Sequence, residues 1–172
     1  MDNPSTERLD AERPSLERHL EFITALSADP EVARWHWPGE LGGPRSPGQA
    51  RELLEEKIKH WTDHGFGQWI WRERESGELV ARVGLAWTTA SGEPLVEVGW
   101  SVARARQGNG FATEAARAAL EYGFRHAGLE EIVSYTWTEN AASLRVMEKL
   151  GMRRVRQFEH AGLAQLLYAA QA

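Results

Sequence analysis

The hydrophobic and polar positions change period several times along the chain, and those changes divide it into elements. Leu16, His19, Leu20, Ile23 and Leu26 recur at helical spacing among Glu17, Arg18 and Glu21, with Ser15 as a cap. This predicts a helix that ends before Asp29-Pro30. Next, Trp35-His-Trp-Pro38-Gly39 and Leu41-Gly-Gly-Pro44 show no period and predict an irregular loop. Ser46-Pro47-Gly48-Gln49 reads as a capping box with proline at the first helical position. Leu53, Leu54, Ile58 and Trp61 face inward on the helix it opens, and His64-Gly65 ends it. From residue 66 the period falls to two. Trp69–Arg74, Leu79–Trp87 and Leu95–Val102 form an antiparallel meander with turns at Ser76-Gly77 and Thr89–Pro94. An alanine-rich helix (112–126), a strand of strong β-formers (131–137), a short helix (140–150) and a hairpin turning at Ala161-Gly162 complete the order. Residues 6–13 can add an edge strand. Strand, helix and strand in one sheet make a right-handed parallel crossover, so 96–102 and 132–137 should lie side by side and parallel. The fold class is therefore α/β (α+β), with a mixed central sheet of about six to seven strands flanked by about four helices.

The strand ending at Val102 runs into Arg104-Ala-Arg-Gln107-Gly108-Asn109-Gly110-Phe111-Ala112-Thr113-Glu114 before the alanine-rich helix. Glycines let the backbone approach a ligand, and the first-turn N–H groups of a helix have no partner of their own. With the helix dipole these features make a phosphate site. The nucleoside-triphosphate loop is excluded, because no Gly-Lys-Ser/Thr follows. The dinucleotide fingerprint is excluded because Thr113 stands where its third Gly or Ala belongs. A plain Gly-rich strand–helix turn has the same composition.

The spacing that fits is Gln107-x-x-Gly110-x-Ala112. It resembles the acetyl-coenzyme A loop of the GNAT superfamily of N-acetyltransferases, and the following Thr-Glu-Ala is similar to the RimJ/RimL branch. Asn140-Ala-Ala-Ser143-Leu-Arg-Val-Met-Glu-Lys149-Leu-Gly151 resembles the second signature of that superfamily. His160-Ala-Gly-Leu and Leu167-Tyr168 resemble the closing hairpin of the branch. The resemblance covers residues 15–169 and implies the GNAT fold, a single acetyltransferase domain over 1–172 and acetyl-CoA as co-substrate. It also implies an acceptor that is a small-molecule amine or a protein N-terminus. The competing reading is a catalytically inactive GNAT-fold module that binds CoA as a sensor or scaffold.

The resemblance assigns roles to particular residues. Ser101, Val102 and Ala103 offer backbone N–H groups to the pantetheine or the thioester oxygen. Gln107, Gly108, Asn109, Gly110, Phe111, Ala112 and Thr113 form the pyrophosphate loop. Asn140 caps its helix and contacts the pantetheine arm; a plain N-cap is the alternative. Many relatives carry a tyrosine shortly after the serine of the second motif as the acid for the departing thiolate. Here Leu144–Met147 occupy those positions, which leaves Ser143 or water. An ammonium with a pKa near ~10 needs a base before it can attack. Glu97, a carboxylate inside the apolar run Leu95–Trp100, is the candidate; its alternative is a solvent-facing position on an alternating strand. Trp35 and Trp37 are either a plug over the core or the wall of the acceptor pocket. Arg104 and Arg106 either approach the phosphates or are solvated.

Composition narrows this further. A length of 172 residues fits one domain with a real core. A formal net charge of −5 with no basic tract argues against nucleic acid or an anionic membrane as partner. Without cysteine there is no disulfide, thiolate metal site or Cys nucleophile, and no metal is called for. The polar start and the lack of a long apolar run make the cytoplasm the expected compartment. A monomer or a homodimer fits equally.

Overall fold

The structure, a computed structural model, describes residues 3–172. Its sheet has seven strands: β1 (Leu9–Glu12), β2 (Gln68–Glu73), β3 (Leu79–Thr88), β4 (Leu95–Val102), β5 (Glu131–Trp137), β6 (Arg153–His160) and β7 (Leu163–Gln171). They lie in the order β1-β2-β3-β4-β5-β7-β6. Around it pack α1 (Leu16–Ala28), α2 (Pro30–His36), α3 (Pro47–His64), α4 (Phe111–Arg125) and α5 (Ala141–Lys149). The strand number and the mixed sheet are as the periodicity predicts.

The fifth helix is a correction. Asp29-Pro30 ends α1 as expected, but the same pair starts α2. The Asp29 carboxylate accepts a hydrogen bond from the Glu31 N–H at 2.9 Å, and Pro30 takes the first helical position, where its missing N–H costs nothing. Trp35 and His36 therefore sit on a helix, and the irregular loop begins only at Trp37. At α3 the predicted capping box is present in both directions: Ser46 Oγ accepts from the Gln49 N–H, and Gln49 Oε1 accepts from the Ser46 N–H.

Two apolar layers sandwich the sheet. On one face Ala115, Ala116 and Ala119 of α4 are fully buried, and their small side chains let the helix lie close to Val83, Leu85, Val96, Val98 and Ile132. On the other, Ile23, Leu26, Ala50 and Leu54 of α1 and α3 pack on Ile70. Each valine, leucine or isoleucine among them contributes about 1.5–3 kcal/mol by leaving water. Alternation sends Val96, Val98, Trp100 and Val102 of β4 to the α4 face, and Glu97, Gly99 and Ser101 to the α1/α3 face.

β4 and β5 are parallel, but the ladder between them holds at one pair, Glu97↔Val133. β3 and β4, by contrast, pair continuously from Thr88↔Leu95 to Ala81↔Val102. Beyond Glu97 the two parallel strands diverge, and the sheet opens into a cleft.

Candidate active site

Two cavities meet at this cleft, sharing Trp35, His36, Trp100, Asn140 and Ser143 as a common wall. The first, about 290 Å³, is bounded by the end of β4, the loop 106–110, the first turn of α4 and one side of α5. Gly110 is the N-cap of α4 in the left-handed region (φ 82°), and Gly108 is left-handed too (φ 79°). Glycine meets that requirement without strain. No side chain caps α4, so the Phe111, Ala112 and Thr113 N–H groups are left for a ligand. Space for a Cβ at Gly108 is empty within 4 Å. Backbone donors, a positive helix end and open space beside glycine suit a pyrophosphate. Arg145 and Lys149 of α5 add cations to the same wall.

The loop is held in shape by its own side chains. Gln107 Nε2 donates to the Val102 carbonyl at 3.1 Å, and Asn109 Nδ2 donates to the Arg106 and Gln107 carbonyls. From the N-terminal segment, Arg8 stacks over the Phe111 ring, donates to the Asn109 carbonyl at 3.0 Å and pairs with Glu114 at 2.6 Å. Thr6 also donates to Glu114. No sequence pattern linked these distant residues to the loop.

The structure modifies the expectation for Ala103 and Ser101 and bears on the alternatives for Arg104 and Arg106. The Ala103 N–H donates to the Val80 carbonyl at 2.9 Å, so it is not available to a pantetheine. Alternation along the antiparallel ladder turns Ser101 toward β3 as well, and directs the Trp100 and Val102 N–H groups to the cleft. Arg106 borders the first cavity, but its guanidinium is paired with Glu73 at 3.4 Å and with Glu78. Arg104 lies outside both cavities, against α1 and α2.

Asn140 is buried, and its carboxamide already works within the protein. Its oxygen accepts from the Ser143 N–H at 3.2 Å, capping α5, and its nitrogen donates to Thr136 Oγ1 at 3.0 Å. One lone pair and one N–H remain. Ser143 Oγ accepts from Trp100 Nε1 at 3.2 Å, which leaves the hydroxyl proton free to point into the cavities.

The second cavity, about 260 Å³, gathers side chains from most of the remaining elements. Glu97 lies in it, half-buried, the only carboxylate lining either cavity among the described residues. Burial pushes its carboxyl up to about 7, against the opposing pull of Lys57 and Arg82. Burial, then Arg82, lowers Lys57 to about 8. Burial, then the same two cations, holds His36 at about 3, so the imidazole is neutral; its hydrogen bond with the Trp100 backbone opposes this. Burial and then Glu97 raise Tyr135 to about 12. Trp35 and Trp37 both line this cavity, half-buried, under the guanidinium groups of Arg34 and Arg45, each 4.5 Å from the ring centroid. Lys57, Arg82 and His36 escaped the sequence reading. Arg82 carried a usable signal, a charge inside an apolar strand, and so did Lys57, one turn beyond Leu53 on the apolar stripe of α3. His36 carried none.

A sheet split at its parallel pair, with a backbone-built anion seat on one side and a carboxylate of raised pKa on the other, is the framework of a group-transfer enzyme. Residues 8–153 match the family model described as acetyltransferase (GNAT) domain. The chain belongs to the GNAT family and is an acetyl-CoA-dependent acetyltransferase. It is 32% identical to the uncharacterized protein YkkB of Bacillus subtilis over 127 residues, 74% of this chain and 71% of that protein. It is 31% identical to the FsC-acetyl coenzyme A-N(2)-transacetylase of Aspergillus fumigatus over 147 residues, 81% of this chain and 60% of that one. The fold matches RimL, a ribosomal L7/L12 alpha-N-protein acetyltransferase in complex with coenzyme A. That match has a TM-score of 0.78 at 15% identity and covers 99% of this chain and 98% of the other. Among the described residues no helix is long and apolar enough to cross a membrane.

Proposed function

We propose that residues 1–172 act as one domain, an N-acetyltransferase of the RimJ/RimL type that moves the acetyl group of acetyl-CoA to a primary amine, small-molecule or protein N-terminal, by direct attack. The carrying observation is Glu97, among the described residues the one carboxylate lining either cavity, at the last pair before β4 and β5 part. Bound acetyl-CoA supplies the thioester. The α4 N-terminus and the loop 107–113 hold its pyrophosphate, and the Val102 N–H and Asn140 guide the pantetheine arm. Glu97, titrating near neutrality, takes the proton of the acceptor ammonium. The second cavity, walled by Trp35 and Trp37, orients the freed amine toward the gap between the strands. Ser143, with one lone pair occupied by the Trp100 N–H, presents its proton to the departing thiolate. The name of RimL, an alpha-N-protein acetyltransferase, supports a protein N-terminal acceptor, and that of the Aspergillus protein supports acetyl-coenzyme A as donor and nitrogen as acceptor.

The experiment is CoA release from acetyl-CoA with a panel of primary amines and peptides, the N-acetyl product being identified by mass. Turnover lost in Glu97→Gln with acetyl-CoA affinity intact supports the reading. Binding of acetyl-CoA without turnover of any amine would favour a CoA-binding sensor or scaffold, in keeping with the missing tyrosine at Leu144–Met147.

A further inference from the structure

Within the second cavity the charges do not balance. Lys57 of α3 and Arg82 of β3 face a single carboxylate, Glu97. Arg82 is 7% exposed, yet no hydrogen bond or ion pair joins its guanidinium to any described residue. Its electrostatic partner, Glu97, stands beyond ion-pair distance. Five N–H donors in fixed planar geometry thus border the cavity without acceptors. A buried cation in that state is costly, and it is retained where something else completes it.

The floor beneath is arranged for the same purpose. Gly84 of β3 and Gly99 of β4 are directly opposed, between the Arg82↔Ser101 and Ala86↔Glu97 pairs. No side chain from this pair stands between Arg82 and Glu97. Gln68 of β2 lies across the bare patch, its Nε2 only 3.4 Å from where a Gly99 Cβ would be. Gln68 is 7% exposed, and its Oε1 is buried without any hydrogen-bond partner. One end of the cavity therefore offers unused cationic donors, the middle a glutamine amide whose oxygen has no partner, and the other end a carboxylate.

We propose that the acceptor is a small amine bearing a carboxylate, an amino-acid-like molecule whose carboxylate is taken by Arg82 and Lys57 while its nitrogen lies toward Glu97, past the Gln68 amide. This rests on the acetyltransferase reading above and narrows its substrate. A guanidinium binds a planar carboxylate through two parallel hydrogen bonds, a specificity that an ammonium alone lacks. The opposite class, a polyamine or other purely cationic acceptor, would bring its charge against Arg82 and Lys57. An N-terminal peptide amine carries an amide where the carboxylate should be, and leaves the buried guanidinium unanswered.

Matched pairs test this: α- and ω-amino acids against their amides and their decarboxylated amines, followed by CoA release. The free carboxylate should raise kcat/KM by ~10- to 100-fold, the usual weight of a charge-assisted contact. Arg82→Gln and Lys57→Gln should each erase most of that preference through the acceptor KM, leaving the KM for acetyl-CoA and a single cooperative melt unchanged. If Arg82→Gln does not fold, Lys57→Gln on the half-buried face of α3 carries the test alone. Equal or better turnover of amides, decarboxylated amines or peptides would overturn the substrate class and leave the acetyltransferase standing. Turnover of no amine in either series would overturn both.

Discussion

The two cavities that share the wall at Trp100 and Ser143 are built from different materials. The side proposed for the phosphate is made chiefly of backbone: left-handed glycines, three first-turn N–H groups and a helix dipole within residues 102–113, with Arg145 and Lys149 of α5 beside them. The acceptor side is made of side chains, His36, Lys57, Gln68, Arg82, Glu97 and Tyr135, one each from α2, α3, β2, β3, β4 and β5. Backbone donors keep their protonation state and need only a particular conformation. Side chains drawn into a cavity shift one another's pKa values and fix charge and shape together. The first arrangement recognises a constant group; the second can be specific, and its chemistry depends on pH.

The largest effect should come from the acceptor side. Glu97→Gln keeps size and hydrogen bonding but removes the base, and kcat should fall by ~100- to 10,000-fold, with acetyl-CoA affinity in calorimetry unchanged. On the phosphate side Gly110→Val should weaken acetyl-CoA binding by ~10- to 100-fold. A β-branched residue at φ 82° carries about 1–3 kcal/mol of strain that the loop relieves by moving away from the phosphate-binding conformation. Unchanged affinity there would break the contrast between the cavities.

The acceptor side should also respond to pH where the phosphate side does not. Below about 7 Glu97 is increasingly protonated. The activity ratio of parent to Glu97→Gln should fall ~10-fold per unit there, level off above it, and shrink again as the amine nears its own pKa of ~10. The charged and titratable groups lining the cavity with Glu97 are Lys57, Arg82, His36, Tyr135 and His160, and His36 is already neutral across this range. A flat ratio from pH 6 to 8 would remove Glu97 as the base. Smaller still, Trp35→Ala and Trp37→Ala should raise the acceptor KM by ~5- to 30-fold, with Trp37 leaving the KM for acetyl-CoA alone because it lines only the acceptor cavity. Equal changes in both constants for Trp37→Ala would make that ring a core plug.

Stability gives the faintest signal. A carboxyl whose folded pKa lies above its unfolded value near 4.5 costs nothing when protonated in both states. It destabilises the fold increasingly as pH rises through about 7. Glu97→Gln should melt with the parent at pH 4 and above it at pH 8. The margin, discounted for the solvent that reaches a half-buried group, is ~1 kcal/mol or ~2–4 °C. A lower melting temperature at pH 8 would mean the ionised carboxylate stabilises the fold.

The same contrast explains what could be read from the chain alone. A site built from consecutive backbone leaves a contiguous trace, so the loop from Gln107 to Thr113 and the cap at Asn140 could be located by spacing. Strands β2 to β5 and helices α3 and α4 follow their periodicity to within a residue or two. Helix α2 could not be read, because Asp29-Pro30 both stops one helix and starts the next, and the tryptophan-rich stretch after it has no period. Glu97 stood out as a charge among apolar neighbours. Arg82 stood out in the same way, but its meaning depends on the Gly84–Gly99 patch and on Gln68, which pairing across three strands brings together. At Ala103 the divergence of the parallel strands points toward a ligand, whereas the alternation along the β3–β4 ladder commits its N–H to Val80.

The single Glu97↔Val133 pair has a mechanical meaning as well. Along the divergence, the half-sheet β1–β4 and the half-sheet β5–β7 are bridged by helices rather than by a continuous ladder. A co-substrate that bonded to both edges of the cleft would work as a ligament between them. The expected outcome is a melting temperature that rises with the logarithm of acetyl-CoA concentration, with amide exchange slowed most along the facing edges of β4 and β5.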